Sequence, residues 1–142
     1  PGIKTYIIGS KMPESLRKLG EAAGLDMLGF VDDLAPWYQQ CALALAPLRY
    51  GAGVKGKVNQ ALSYGLPVVG TSMAFEGMAV KHRSEVMIAK DAAAFAECIN
   101  EVLSDDELWA TLSTRGQASL AQAFSVDVAR MQLAGLLAEV TR

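Results

Sequence analysis

Glycines and lysines are concentrated in one short stretch of the chain, between two apolar runs. The stretch contains Gly51, Gly53, Gly56, Lys55 and Lys57. Glycine permits a positive φ and lets the backbone approach a ligand closely. Where such a loop begins a helix, the free N–H groups of the first turn and nearby cationic side chains favour an anion, most simply a phosphate or diphosphate. The pattern therefore predicts an anion-binding loop, and the alternative is a flexible connection with solvated lysines.

Two familiar phosphate-binding motifs do not fit this loop. The interval from Gly51 to Gly56 matches a P-loop, but Lys57 is followed by Val58 rather than Ser or Thr, so no hydroxyl is offered to magnesium. The same letters read G-x-G-x-x-G, yet no acidic residue ends a strand about 20 residues further on, as a dinucleotide site requires. The loop is expected to bind its anion with its own amides and lysines.

Short apolar runs alternate with amphipathic stretches up to residue 90, and helical patterns continue from there to residue 140. The apolar runs predict strands and the amphipathic stretches predict helices, several of them with Asp or Ser at the N-cap. The predicted strands are 4–9, 25–31, 42–46, 68–69 and 85–89. The predicted helices are 13–23, a short helix containing Trp37 and Tyr38, 54–64, 91–103, 105–124 and 125–140.

This alternation predicts an α/β fold. Right-handed units with helices on both faces imply a Rossmann-like, doubly wound parallel sheet of about five or more strands, followed by a helical C-terminal tail. Ligands bind such sheets at the carboxyl ends of the strands, where four loops are expected to converge. The length predicts a single domain over 1–142, with a sheet core in 1–90 and C-terminal helices in 91–142. Because the first strand begins close to Pro1, we expect the chain to be a fragment of a longer protein.

The composition excludes several kinds of function. A net charge of −2 argues against a broad nucleic-acid surface, and no apolar stretch approaches the length of a membrane span. His82 is the only histidine, and no carboxylates cluster, so no metal is expected. Cys41 and Cys98 are expected to be free thiols, with a disulfide as the open alternative. The predicted location is the cytoplasm, with a membrane-peripheral position of the full-length protein left open.

The glycine loop is one of a series of motifs that keep a specific order and spacing. The series is Gly29 to Leu34, Tyr38, Leu45 to Leu48, Gly51 to Lys57, Gly65 to Val69, Thr71, Glu76 to Met78, Phe95-Ala96, Leu103 to Asp106 and Phe124-Ser125. It resembles the C-terminal, donor-binding half of GT-B glycosyltransferases of the retaining family 4 group, from about Tyr6 to Leu133. The resemblance implies a hexosyltransferase-like enzyme of two domains, whose acceptor-binding N-terminal domain lies outside these residues.

The resemblance also implies a site for a nucleotide-sugar, without a cofactor or a metal. The backbone at Phe30 and Val31 would contact the base, and the loop from Gly51 to Lys57 would hold the diphosphate and face the sugar. Lys57 would stabilise the departing diphosphate, position 60 would contact the ribose, and the 70–77 loop would border the site. The implied donor-binding residues are Phe30, Val31, Gly51, Gly53, Val54, Lys55, Lys57, Gln60, Thr71 and Glu76.

Two positions depart from the family pattern. The family often carries two glutamates eight positions apart, and Ala52 and Gln60 stand at those positions. The neutral amide of Gln60 still hydrogen-bonds a ribose hydroxyl, but without the stronger charge-assisted bond. Ala52 offers a sugar no polar side chain. Glu76 is then the best remaining carboxylate, and its alternative is an acid at a helix N-terminus.

Three functions remain open at this point. The first is the donor-binding domain of a glycosyltransferase, inactive without its N-terminal half. The second is a non-catalytic binding module of the same fold with a degenerate donor site, which Ala52 and Gln60 favour. The third is a related GT-B enzyme such as a sugar-nucleotide epimerase, which would need acid–base residues that this half does not obviously supply.

Overall fold

The computed structural model describes residues 2–140, which form five short strands and six α-helices. Strands and helices alternate as far as the fifth strand, and only helices follow it. The strands are β1 Tyr6–Ile8, β2 Asp26–Gly29, β3 Ala44–Ala46, β4 Val68–Gly70 and β5 Met87–Ile88. The helices are α1 Glu14–Ala22, α2 Ala35–Gln40, α3 Gly56–Ser63, α4 Ala92–Ser104, α5 Asp106–Phe124 and α6 Val126–Val140, with a 3-10 helix at Ser72–Phe75. The chain divides into two compact units, Pro1–Pro36 and Trp37–Arg142.

The first unit contains a two-stranded parallel sheet. β1 pairs with β2 in a register that places Ile7 beside Met27. The connecting helix α1 packs closely on this sheet, because a Cβ on Gly20 would lie 2.2 Å from Met27 Sδ, so that the flexible Met27 side chain would have to move to admit it. Arg17 Nη1 also donates to the Met27 carbonyl at 3.1 Å. The β1–α1–β2 unit is therefore held by both packing and hydrogen bonding.

The second unit contains a three-stranded parallel sheet in the order β3-β4-β5. Every residue of the central strand β4 is buried, as expected for a parallel sheet covered on both faces. Val68 packs in one apolar cluster with Leu62 of α3, whereas Val69 packs in another with Val102 of α4 and Leu112 of α5. Successive residues of a strand point to opposite faces, so helices cover both faces of this sheet.

Side-chain caps mark the starts of the C-terminal helices. The Asp91 carboxylate accepts a hydrogen bond from the Ala94 amide at 2.9 Å, and Asp105 accepts from Leu108 at 2.9 Å. Each satisfies one of the amides that a helix N-terminus leaves without an intrahelical partner.

None of the helices formed by the described residues is both long enough and apolar enough to cross a membrane.

The α/β class, the parallel strands and the helical tail confirm the expectation from the sequence. The five strands hydrogen-bond as two sheets, of two and three strands. The single domain over 1–142, with its parts 1–90 and 91–142, stays a prediction, because two compact units can belong to one domain. Its outermost residues, Pro1, Thr141 and Arg142, lie outside the described residues.

Gly116 and Gly135 provide a matched test of the packing in the second unit. A Cβ on Gly116 of α5 would lie 2.9 Å from both the Glu85 carbonyl oxygen and Leu62 Cδ2, whereas nothing lies within 4 Å of one on Gly135 of α6. We expect Gly116→Ala to lower the free energy of unfolding by about 1–3 kcal/mol through overpacking. Gly135→Ala is expected to raise it by up to about 1 kcal/mol, because alanine favours a helix. Urea unfolding measures both, and equal effects of the two substitutions would contradict the packing.

Candidate functional site

The ends of β3 and β4 hold the site together in the second unit. Ala46 pairs with Gly70 at the last position of the two strands. Beyond the strands, the Thr71 amide donates to the Ala46 carbonyl at 3.2 Å, and Thr71 Oγ1 donates to the Leu48 carbonyl at 2.5 Å. The segment that leaves β3 is thereby tied to the segment that leaves β4. Thr71 was predicted to contact the nucleotide-sugar, and its hydroxyl is used for the hydrogen bond to the Leu48 carbonyl.

The glycine loop follows β3 and has the backbone that its composition predicts. Gly51 has a φ of 136° and Gly53 a φ of 72°, a region that favours glycine. The helix starts later than expected: the predicted helix 54–64 is observed as Gly56–Ser63, with Lys55 as its extended N-cap, so Val54 belongs to the loop. Among the described residues, nothing accepts a hydrogen bond from the amides of Gly56 and Lys57.

A cavity of about 520 Å³ opens between the glycine loop and the segment after β4. Backbone and small side chains form most of its wall, and Glu76 is the one carboxylate among its lining residues. The lining residues are Gly51, Ala52, Gly53, Val54, Met73, Glu76 and Gly77. Four predicted site residues therefore meet at one cavity: Gly51, Gly53, Val54 and Glu76.

Lys55 and Lys57 have different surroundings, although the sequence assigned both to an anion. Lys55 Nζ lies 3.1 Å from the Gly51 carbonyl oxygen, 2.5 Å from that of Gly53 and 3.6 Å from Glu76 Oε2. Its side chain is only 10% exposed, against 56% for Glu76. Lys57 is exposed in the first turn of α3 and forms no ion pair with a described residue. Lys57 is therefore the lysine whose charge is available to a ligand.

The remaining predicted residues are placed apart from this cavity or outside the unit. Gln60 is exposed on α3 and does not line the cavity. Phe30 and Val31 follow β2 in the first unit, where Phe30 is 71% exposed. The predicted contacts of Gln60, Phe30 and Val31 with a nucleotide stay predictions.

The segment after β4 differs from the sequence-based expectation in one respect. Glu76 follows the 3-10 helix instead of beginning a helix, so the alternative of a helix N-terminal acid is wrong. The sequence placed the 70–77 loop at the border of the site, but it did not identify Met73 or Gly77 as lining residues. Met73 lies in the short 3-10 helix, which has no strong sequence signal. Gly77 has a φ of 78°, and a glycine at this place in the sequence is typical of a turn, so this signal was available.

The other groups with chemical potential lie elsewhere in the second unit. Cys41 and Cys98 are free thiols, as expected, and burial raises the pKa of both, which disfavours the reactive thiolate. His82 Nδ1 accepts a hydrogen bond from the Ile88 amide at 2.9 Å, and His82 lines a second cavity of about 400 Å³ that also includes Lys90. Within residues 2–140, no group of three His, Cys, Asp or Glu side chains is placed to hold a metal ion.

The sequence between residues 2 and 105 matches a protein-family model described as Glycosyl transferases group 1. The chain belongs to this family. A comparison of this group 1 glycosyl transferase with curated proteins found no match.

Solved structures share its fold at low sequence identity. HepE of Anabaena, in complex with UDP, matches with a TM-score of 0.84 and 21% identity over 96% of this chain and 41% of HepE. Sucrose-phosphate synthase of Thermosynechococcus elongatus matches with a TM-score of 0.79 and 18% identity over 96% of this chain and 38% of the synthase. The C-terminal domain of LpcC, a group 1 family protein of Francisella tularensis, matches with a TM-score of 0.67 and 14% identity over 80% of this chain and 62% of that domain.

These likenesses confirm the predicted fold, one half of a GT-B glycosyltransferase. The group 1 glycosyl transferase chain spans about two fifths of the length of HepE and of the synthase.

Proposed function

We propose that this chain is the donor-binding domain of an enzyme that transfers a sugar from a nucleotide-sugar to an acceptor. The observation that carries the proposal is the cavity that Gly51 to Val54 and Glu76 line beside the start of α3. Exposed loop amides, the helix N-terminus and the free charge of Lys57 all favour an anion there. The diphosphate of a nucleotide-sugar is an anion of suitable size, and family membership favours it over other phosphates.

UDP-sugars are the first donors to test. HepE has been solved with UDP, with UDP and glucose, and with UDP-glucose, and its fold matches this chain with TM-scores of 0.81 to 0.84. In our proposal the diphosphate binds at the glycine loop, and Phe30 and Val31 contact the base. Gln60 contacts the ribose, and Thr71 and Glu76 border the site.

The proposed catalysis is stabilisation of the leaving group. As the bond from the anomeric carbon to the phosphate oxygen breaks, negative charge develops on the departing nucleoside diphosphate. Lys57 and the amides at the start of α3 interact more strongly with that growing charge than with the intact donor, which lowers the barrier. The proposal assigns charge neutralisation to these groups and includes no metal or cofactor.

The proposed enzyme needs a second domain. The chain spans about two fifths of HepE, and the acceptor is proposed to bind an N-terminal domain of the same protein. The 142-residue chain by itself is then inactive as a transferase. The proposed location is the cytoplasm, with the full-length protein either free or at the membrane periphery.

One observation favours a second candidate, a non-catalytic module with a degenerate donor site. Ala52 lines the cavity at the position where the family often has a glutamate, so that position offers no polar side chain to a sugar. Gln60 stands where the family often has the other glutamate, and it carries no charge.

Calorimetric titration of the full-length protein with UDP and GDP tests the proposed diphosphate site. We expect Lys57→Met to weaken binding of the nucleoside diphosphate about tenfold, the factor that corresponds to loss of a contact worth roughly 1.4 kcal/mol. Lys90→Met is the matched control, because it removes the same charge beside the second cavity. Failure of the wild-type protein to bind either nucleotide, or an equal loss in the Lys90 variant, would contradict the proposed site.

Gln60→Glu distinguishes the enzyme from the degenerate module. If position 60 faces the ribose, the restored carboxylate forms a charge-assisted bond with a hydroxyl, and UDP affinity is expected to rise about three- to tenfold. Gln122→Glu on the exposed surface of α5 makes the same change of charge and is expected to leave the affinity unchanged. An unchanged affinity in the Gln60 variant supports the degenerate module instead.

A further inference from the structure

The ammonium group of Lys55 makes two hydrogen bonds to its own loop and one ion pair. An ammonium has three N–H donors and no acceptor. Lys55 Nζ lies 3.1 Å from the Gly51 carbonyl oxygen, 2.5 Å from the Gly53 carbonyl oxygen and 3.6 Å from Glu76 Oε2. Lys55 is not among the residues that line the 520 Å³ cavity. Its charge therefore lies behind the cavity wall and is directed into the loop.

These two carbonyl contacts are the main restraint on the glycine loop. Within the described part of the chain, residues 49–54 take part in no backbone–backbone hydrogen bond. Gly51 and Gly53 both have positive φ, and glycine loses more conformational freedom on ordering than any other residue. Without Lys55, nothing in the hydrogen-bond pattern of the described residues would select one conformation of this loop.

The direction of the two carbonyls also fixes the direction of two amides. In a trans peptide the C=O and the following N–H point to opposite sides. Because the Gly51 and Gly53 carbonyls point to Lys55, the amides of Ala52 and Val54 point away from it. Ala52 and Val54 are both lining residues of the cavity.

Glu76 adds an electrostatic reason for the position of Lys55. Its carboxylate lies in the cavity wall, half exposed, where an unbalanced negative charge would repel a diphosphate. The ammonium at 3.6 Å compensates that charge. A single side chain thus restrains the loop and offsets the one carboxylate among the lining residues.

We propose that Lys55 is a positioning residue, which orders the glycine loop so that the amides of Ala52 and Val54 bind the donor diphosphate, and which balances the charge of Glu76. This inference rests on the proposed donor site. It assigns Lys55 a role through the loop, whereas Lys57 contacts the anion itself.

Amide ¹⁵N relaxation of the unliganded full-length protein tests the ordering of the loop without any nucleotide. In the wild type, the order parameters of the Ala52 and Val54 amides are expected near the rigid-backbone value of about 0.85, and in Lys55→Met below about 0.6. Lys57→Met is the matched control, with order parameters equal to those of the wild type. Unperturbed signals from β3 and β4 show that the Lys55 variant is folded.

Titration with UDP supplies the second readout. Lys55→Met is expected to weaken binding about 5- to 30-fold. Adding Glu76→Gln to Lys55→Met removes the carboxylate that Lys55 no longer balances, and it is expected to restore part of the lost UDP affinity. Weaker UDP binding by Lys55→Met with an ordered loop would mean direct contact with the anion and would overturn the proposal. A double variant that binds UDP no better than Lys55→Met would overturn the charge balance.

The two proposals fail in different ways. If the wild-type protein binds no nucleoside diphosphate, the proposed donor site fails, and with it the assignment of the two amides to the diphosphate. If the wild type binds UDP but the loop of Lys55→Met keeps wild-type order parameters, the donor site stands and the positioning role of Lys55 is wrong.

Discussion

The parallel pairing of β3 with β4 is the constraint on which the site depends. These strands are short, but their pairing continues past their ends through the two bonds that Thr71 makes to Ala46 and Leu48. Apolar packing on both faces fixes the register, because a shift by one residue would exchange Val68 and Val69 between their two clusters. With the register fixed, the glycine loop and Glu76 must lie side by side.

The site also illustrates how surroundings give two similar lysines different roles. Lys55 and Lys57 are two residues apart, yet α3 begins between them and their exposure and contacts differ. Lys55 turns back onto carbonyls and a carboxylate and is nearly buried, so its charge serves the shape of the loop. Lys57 is solvated in the first turn, where its charge adds to that of the helix N-terminus. Glycine supplies the unusual backbone, and Lys55 selects one of the conformations that glycine allows.

Local signals were sufficient for most of the fold. Apolar runs located all five strands, and Asp91 and Asp105 marked helix starts that the structure confirms through their cap bonds. The glycines at 51 and 53 predicted positive φ, and both have it. Such features depend on a few neighbouring residues, which is why the sequence alone reveals them.

Features that depend on distant residues could not be predicted in this way. The ion pair of Lys55 with Glu76 joins residues 21 positions apart and follows from the strand register. The sequence alone does not reveal such a pair, and for this reason Lys55 was assigned to an anion. α3 starts at Gly56 with Lys55 as its extended N-cap, and the Lys55 side chain bonds back to the Gly51 and Gly53 carbonyls, contacts that no local pattern predicts. Ala74 and Phe75 are buried in the 3-10 helix Ser72–Phe75. Their burial depends on distant residues, so no local sequence pattern predicts this helix.

A titration of the ¹⁵N-labelled full-length protein with UDP, followed by amide chemical shifts, shows whether the glycine loop and the start of α3 hold the diphosphate. A diphosphate held by the glycine loop and the start of α3 predicts the largest changes at residues 52–57, with smaller ones at Gly77. Changes concentrated around His82 and Lys90, or no change at the glycine loop when UDP is bound, would contradict it.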